Sequence, residues 1–188
     1  MNGLAKDLGQ LIGSQSVKTD PVDLLAYEAD ATHYFARGKP DAIVLPQTAE
    51  DISKVLRYAS NTANLPVTPR GAGSGLSGAC TPTQGGIVMD MKRMNQILEI
   101  NSGNLTARAE AGVVLSHFHR AVEKLTLFYP PDPQSMTVCT LGGNVSTRAG
   151  GPHGVKYGTT SNYVLGLEVV LPDGSIINTG STCVKHSV

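Results

Sequence analysis

No apolar run in this 188-residue chain approaches the roughly eighteen residues that a membrane span needs. The start, Met1-Asn2-Gly3-Leu4, lacks the basic and apolar regions of a signal peptide. The chain is therefore expected to be cytoplasmic, with a peripheral place at the inner face of the membrane as the alternative. It also lacks a basic excess. Lys plus Arg and Asp plus Glu each number 15, and this balance argues against a nucleic-acid groove. Cysteine is scarce. Cys80, Cys139 and Cys183 lie far apart and no pair has metal-ligand spacing. Reduced thiols are expected, with no disulfide, metal or iron–sulfur cluster held within the chain. No repeat or low-complexity tract is present. The length predicts one domain or two small lobes, large enough to bury roughly 70% of the unfolded surface. What is plentiful is glycine, at 21 residues, and proline, at 11. That composition suits a loop-rich ligand site rather than a helical bundle.

Four of those glycines fall in Pro69-Arg70-Gly71-Ala72-Gly73-Ser74-Gly75-Leu76-Ser77-Gly78. Such a run permits positive φ and lets a ligand come close to the main chain. Successive amides can turn inward as a nest for an anion, which points to phosphate or pyrophosphate. A P-loop is excluded because Gly78 is followed by Ala79-Cys80, not by Lys and Ser or Thr. A Rossmann loop fits at Gly71 and Gly73 but fails at Leu76. Asp90 sits where a ribose-binding acid would be. The intervening Thr81-Pro82-Thr83-Gln84-Gly85-Gly86 nevertheless cannot form a crossover helix. No kinase signature follows.

Periodicity supplies the frame. Residues 1–15 predict an amphipathic helix with Leu4, Leu8, Leu11 and Ile12 on one face. Asp20-Pro21 predicts a helix start. Ala42–Leu45 reads as a buried strand. Thr48 opens a helix to about Ala63, with Ile52, Val55, Leu56 and Ala59 inward. A strand near Val67 then delivers the glycine loop, giving a βαβ-like unit with the ligand beyond its strand ends. Gly86–Asp90 is another strand. A hairpin is expected from Gln96–Ile100 and Leu105–Ala109, then a helix over Val114–Leu125. Pro130-Pro131-Asp132-Pro133 is a stiff loop. Thr140–Gly151 predicts a short helix start aimed at a ligand. Asn162–Leu171 and Ser175–Thr179 predict a second hairpin around Pro172-Asp173-Gly174.

Three blocks together carry a family resemblance: Pro69–Gly78; Pro130–Pro133 with Thr140-Leu141-Gly142-Gly143-Asn144 and Ser146–Gly151; and Lys156-Tyr157-Gly158 with Val164–Gly174. Their order and spacing resemble flavoproteins with the vanillyl-alcohol-oxidase or p-cresol methylhydroxylase (PCMH) type of FAD domain. The branch is that of the glycolate oxidase FAD subunit and D-lactate dehydrogenase, over roughly residues 20–188. The resemblance implies an α+β, two-lobed FAD-binding domain, incomplete at its carboxy end. It implies a helical segment at 1–39 and an FAD domain at 40–188, with lobes at about 40–108 and 109–188 and the dinucleotide between them.

It further implies an FAD-dependent oxidation of a 2-hydroxy acid such as glycolate or D-lactate, with hydride passing to flavin. An iron–sulfur subunit or quinone would accept the electrons. Arg70, Gly71, Ala72, Gly73, Ser74, Gly75, Leu76 and Ser77 would hold the pyrophosphate. Pro130, Asp132 and Pro133 would shape the wall near the flavin. Thr140, Leu141, Gly142, Gly143, Ser146, Thr147, Gly150, Tyr157 and Gly158 would complete the cofactor contacts. FAD should be non-covalent, because Gly73-Ser74-Gly75 stands where some relatives carry a linking histidine. His153 is the one candidate catalytic residue near the flavin block, with loop packing as its alternative role. His33, His117, His119 and His186 are scattered and are not expected to bind metal. The family's further cofactor segment and substrate domain lie beyond residue 188. The chain thus reads as an amino-terminal fragment or truncated product, inactive by itself. An ether-lipid synthase, a cell-wall reductase or a non-catalytic flavin-binding fragment are the alternatives.

Overall fold

The structure is a computed structural model, described over residues 3–32, 34, 37–62 and 65–182. His33, Cys183 and His186, and the expected helix end at Ala63, lie outside the described residues. The chain divides into two compact units, Met1–Arg93 with Val169–Ile177, and Met94–Glu168 with Asn178–Val188.

The first unit is built on a four-stranded sheet. Its strands are β1 (Val17–Lys18), β2 (Ala42–Val44), β3 (Val67–Arg70) and β4 (Ile87–Asp90), in the order β1-β2-β4-β3. β1 runs antiparallel to β2; β2 and β3 both run parallel to β4. The expected strand–helix–strand unit is present, but its two strands are not neighbours. β4 inserts between them. Every residue of β2 and β4 is buried, as central parallel strands covered on both faces require.

Alternation then sorts their side chains. Ala42, Val44, Ile87 and Met89 join Leu8, Ile12 and Val55, from α1 (Gly3–Ile12) and α3 (Ala49–Asn61), on one face. Ile43 and Val88 meet Leu24 of α2 (Pro21–Leu25) and Tyr27 on the other. Asp20 caps α2 by accepting from the Val22 amide, with Pro21 in the first helical position. Thr48 caps α3 by accepting from the Asp51 amide at 3.1 Å. Thr48→Ala is expected to cost about 1 kcal/mol and to lower the melting midpoint by roughly 2–4 °C, as read by circular dichroism. Ser53 is buried inside α3, where its hydroxyl donates to the carbonyl of Gly174. The Pro172-Asp173-Gly174 turn is thereby pinned to α3.

In the second unit β5 (Ile97–Asn101) and β6 (Thr106–Ala109) form the expected antiparallel hairpin. α4 (Leu115–Glu123) buries Phe118 and Val122 with Val113, against Ile97, Ile100, Ala109, Tyr129 and Leu141. α5 (Leu141–Thr147) and the single-turn α6 (Gly154–Tyr157) follow. β7 (Gly166–Val170) and β8 (Ile176–Gly180) make the last hairpin. Its first strand starts later than the sequence predicts. Thr159 and Asn162 exchange side-chain-to-backbone bonds as a capping box, which closes Thr160–Tyr163 into a 3-10 turn. Those local bonds take precedence over the strand propensity of Tyr163 and Val164. No helix among the described residues is long and apolar enough to cross a membrane.

Candidate FAD-binding site

The glycine loop leaves the carboxyl end of β3, the end at which open parallel sheets bind ligands. Gly73 and Gly78 take positive φ, 66° and 73°. A Cβ at Gly75 would meet nothing within 4 Å. Among the described residues, no hydrogen bond is donated by the amides of Ala72, Gly73, Ser74, Gly75, Leu76 or Ser77. Six consecutive N–H groups thus have no acceptor among the described residues, an arrangement that suits an oxyanion nest. The Gly73 carbonyl faces the other way and accepts from the Ala31 amide at 2.9 Å.

Beneath the loop lies a polar cluster that sequence spacing did not reveal. The Tyr27 hydroxyl donates to Asp90 Oδ2 at 2.6 Å, and Lys92 Nζ donates to the Tyr27 oxygen at 2.7 Å. Lys92 also pairs with Asp90 at 3.1 Å. Burial, followed by the bond to Asp90, pushes the Tyr27 hydroxyl above its ordinary pKa. The Lys92 ammonium is also raised, because its bonds to Tyr27 and Asp90 outweigh the opposing effect of burial. Tyr27 and Asp90 are 63 positions apart, so no local pattern could pair them. Cys80 is half-buried, and burial raises its thiol pKa above the ordinary value.

The second sequence block, and the third as far as Glu168, fall in the other unit. Asp132 Oδ1 accepts from the His153 amide, and Oδ2 lies 3.1 Å from His153 Nδ1. The Pro130 carbonyl stands 3.3 Å from the same Nδ1. Both neighbours are acceptors, so Nδ1 carries a proton. The imidazole also makes edge-on ring contacts with Phe128 and Tyr157, at 6.2 Å between centroids in each case. Gly151 is required here because a Cβ would overlap the Asp132 carbonyl and carboxylate. Pro130 is buried, and Pro133 accepts from the Met136 amide. The Tyr157 carbonyl accepts from the Tyr163 hydroxyl at 2.6 Å, and Gly158 takes φ 84°. A Cβ at Gly150 would make only ordinary contact with Thr159.

α5 is held by its start. Thr140 bridges to Val114 and accepts from the Gly143 amide, while the Leu141 amide donates to Val113 and the Gly142 amide to Ala111. Leu141 packs with Val113 and Phe118. A Cβ at Gly142 would lie 2.7 Å from the Ala111 Cβ, so its small size serves an internal close approach. Ser146 and Thr147 donate to the carbonyls of Gly142 and Gly143. Their hydroxyl hydrogens are therefore engaged within the helix. Asn144 is buried, and its Nδ2 has no acceptor among the described residues. An orphaned donor of this kind fits a helix that receives a polar group from outside.

These features define a nucleotide-anion-binding fold, and the chain belongs to the FAD-binding domain family, whose model matches residues 40–180. Over 180 residues it is 44% identical to the glycolate oxidase subunit GlcD of Bacillus subtilis, covering 96% of this chain and 38% of that protein. It is 43% identical over 145 residues to a D-lactate dehydrogenase of Archaeoglobus fulgidus, covering 77% and 32%. The chain thus spans well under half the length of these relatives. Among solved structures it superposes on alkyldihydroxyacetonephosphate synthase with TM-score 0.84 at 23% identity, covering 96% of this chain and 34% of that one. On p-cresol methylhydroxylase the TM-score is 0.81 at 24% identity, with coverage of 95% and 35%. These two likenesses show the fold, the α+β PCMH type expected from the sequence. FAD is the family's cofactor, and the amides after β3 that have no acceptor among the described residues suit its pyrophosphate.

Proposed function

We propose that this chain is the FAD-holding part of an oxidoreductase that oxidises a 2-hydroxy acid, glycolate or D-lactate. The observation that carries the reading is the run of amides from Ala72 to Ser77, at the end of β3, that donate to no acceptor among the described residues. The relatives at 44% and 43% identity support the substrate class. When bound, FAD supplies the hydride acceptor. The chain's own residues bind and orient it. Amides from Gly71 to Ser77, with the Ser74 and Ser77 hydroxyls, take the pyrophosphate. Pro130, Asp132, Pro133, Thr140, Leu141, Gly142, Gly143, Ser146, Thr147, Gly150, Tyr157 and Gly158 form the remaining contacts. His153 presents Nε2 as the proton acceptor nearest that block, with Asp132 holding the ring. The proposal includes the division into a helical segment at 1–39 and an FAD domain at 40–188, with lobes at about 40–108 and 109–188. It includes an iron–sulfur subunit or a quinone as electron acceptor, and a cytoplasmic or membrane-peripheral location.

Titration with FAD and with riboflavin tests the reading, followed by flavin fluorescence. FAD is expected to bind, and riboflavin, which lacks the pyrophosphate, to bind at least about tenfold more weakly. Equal affinity for both would remove the loop from the site. Acid precipitation of the FAD-loaded protein should leave all flavin in the supernatant, because Ser74 offers no stable linkage to the ring. Flavin retained in the pellet would show a covalent bond.

A further inference from the structure

Arg70 ends β3 and begins the loop, where a cation is easily read as a phosphate ligand. Its guanidinium has partners within the fold. Nη1 donates to the Ala29 carbonyl at 2.9 Å and reaches the Cys80 carbonyl at 3.3 Å. Cζ lies over the Tyr27 ring, 5.2 Å from the centroid. Tyr27 is itself fixed by Asp90 and Lys92, and Asp90 is the register partner of Arg70 on β4. On its other side the guanidinium fills the space beside Gly73. A Cβ at Gly73 would overlap Nη2 and lie 3.0 Å from Nε. Gly73 in turn donates no amide hydrogen bond within the described residues and gives its carbonyl to Ala31.

We propose that Arg70 is the positioning residue of the anion loop, a planar brace beneath Gly73 that ties residues 29–31, 70–73 and 80 together so that the 72–77 amides face outward. The inference rests on the FAD reading for its ligand and changes the role of Arg70 within it, from phosphate contact to support. Two features fit a guanidinium better than an ammonium: one nitrogen of a planar group reaching two carbonyls, and a flat surface on which a glycine can turn. The glycine at 73 is then explained twice, by its positive φ and by the side chain lying against it.

The test uses the 188-residue chain with Arg70→Ala, Arg70→Lys, Gly73→Ala and the double variant Arg70→Ala/Gly73→Ala. Two quantities are measured: FAD affinity, and hydrogen exchange in the cofactor-free protein of the Ala31 and Thr81 amides, which donate to the Gly73 and Gly78 carbonyls. Their exchange is expected to quicken in both Arg70 variants, while β2 and β4 stay protected. FAD affinity should fall about tenfold or more in both. Lysine should not rescue, because it restores charge without the plane. Gly73→Ala should cost less in the Arg70→Ala background than in the wild type, because the overlapping group is gone. Lysine restoring full affinity with normal exchange would show that Arg70 acts by charge on the phosphate, and would overturn the proposal. Additive Gly73 and Arg70 effects, or unchanged exchange in Arg70→Ala, would overturn it as well. If the wild type binds no FAD, the cofactor reading fails, and exchange in the free protein alone decides the role of Arg70.

Discussion

Gly73→Val is expected to abolish FAD binding while leaving the sheet intact. Three effects act in the same direction. Gly73 holds φ at 66°, a region costly for a β-branched side chain. The new Cβ would overlap the Arg70 guanidinium, which is held by two carbonyls and the Tyr27 ring. A loop pushed off this turn also stops presenting the neighbouring amides. Strain of roughly 1–3 kcal/mol at the backbone, together with lost amide contacts, corresponds to at least about a hundredfold loss of affinity. The core should be spared, because the buried residues of β2 and β4 do not include this loop. Flavin absorbance and far-ultraviolet circular dichroism on the same sample separate the two effects. Normal flavin loading in Gly73→Val would refute the loop assignment.

The 188-residue chain, even saturated with FAD, is expected to show no turnover of glycolate or D-lactate above background. Hydroxy-acid oxidation needs a base at the hydroxyl and a clamp that holds the α-carbon against the acceptor. His153 is oriented by Asp132 and the Pro130 carbonyl, which both engage Nδ1, so Nε2 is the atom that would act as the base. Its side chain is nevertheless 50% exposed, so water competes for the same nitrogen. Lys156, three residues on, rests 4.8 Å from the centre of the Tyr157 ring and is a single flexible charge rather than a bidentate clamp. Lost positioning alone removes on the order of 7 kcal/mol of catalysis, enough to place turnover below a dye-coupled assay. Sustained oxidation by this chain that vanishes in His153→Ala would contradict the expectation and make His153 a sufficient base.

What the sequence by itself determined is what local physics determines. The continuous apolar runs of β2 and β4 announce buried strands. Thr48 and Asp20 mark helix starts because a side-chain oxygen two or three residues upstream is all that a cap requires. The glycine run from Gly71 to Gly78 announces a loop with unusual turns, because no other residue tolerates them so freely.

The tertiary structure decided what depends on partners far apart in the chain. Parallel strands choose neighbours through long crossovers, so nothing near β3 discloses that β4 separates it from β2. Tyr27 and Asp90, or Asp132 and His153, meet only after the elements carrying them have packed. The same holds for two residues whose types suggest one role and whose neighbours give another. Gly142 is small because Ala111 lies against it, and Arg70 gives Nη1 to two carbonyls and lies over a tyrosine ring. A residue type states what a side chain can do; the packed neighbours decide which of its bonds remain for a ligand.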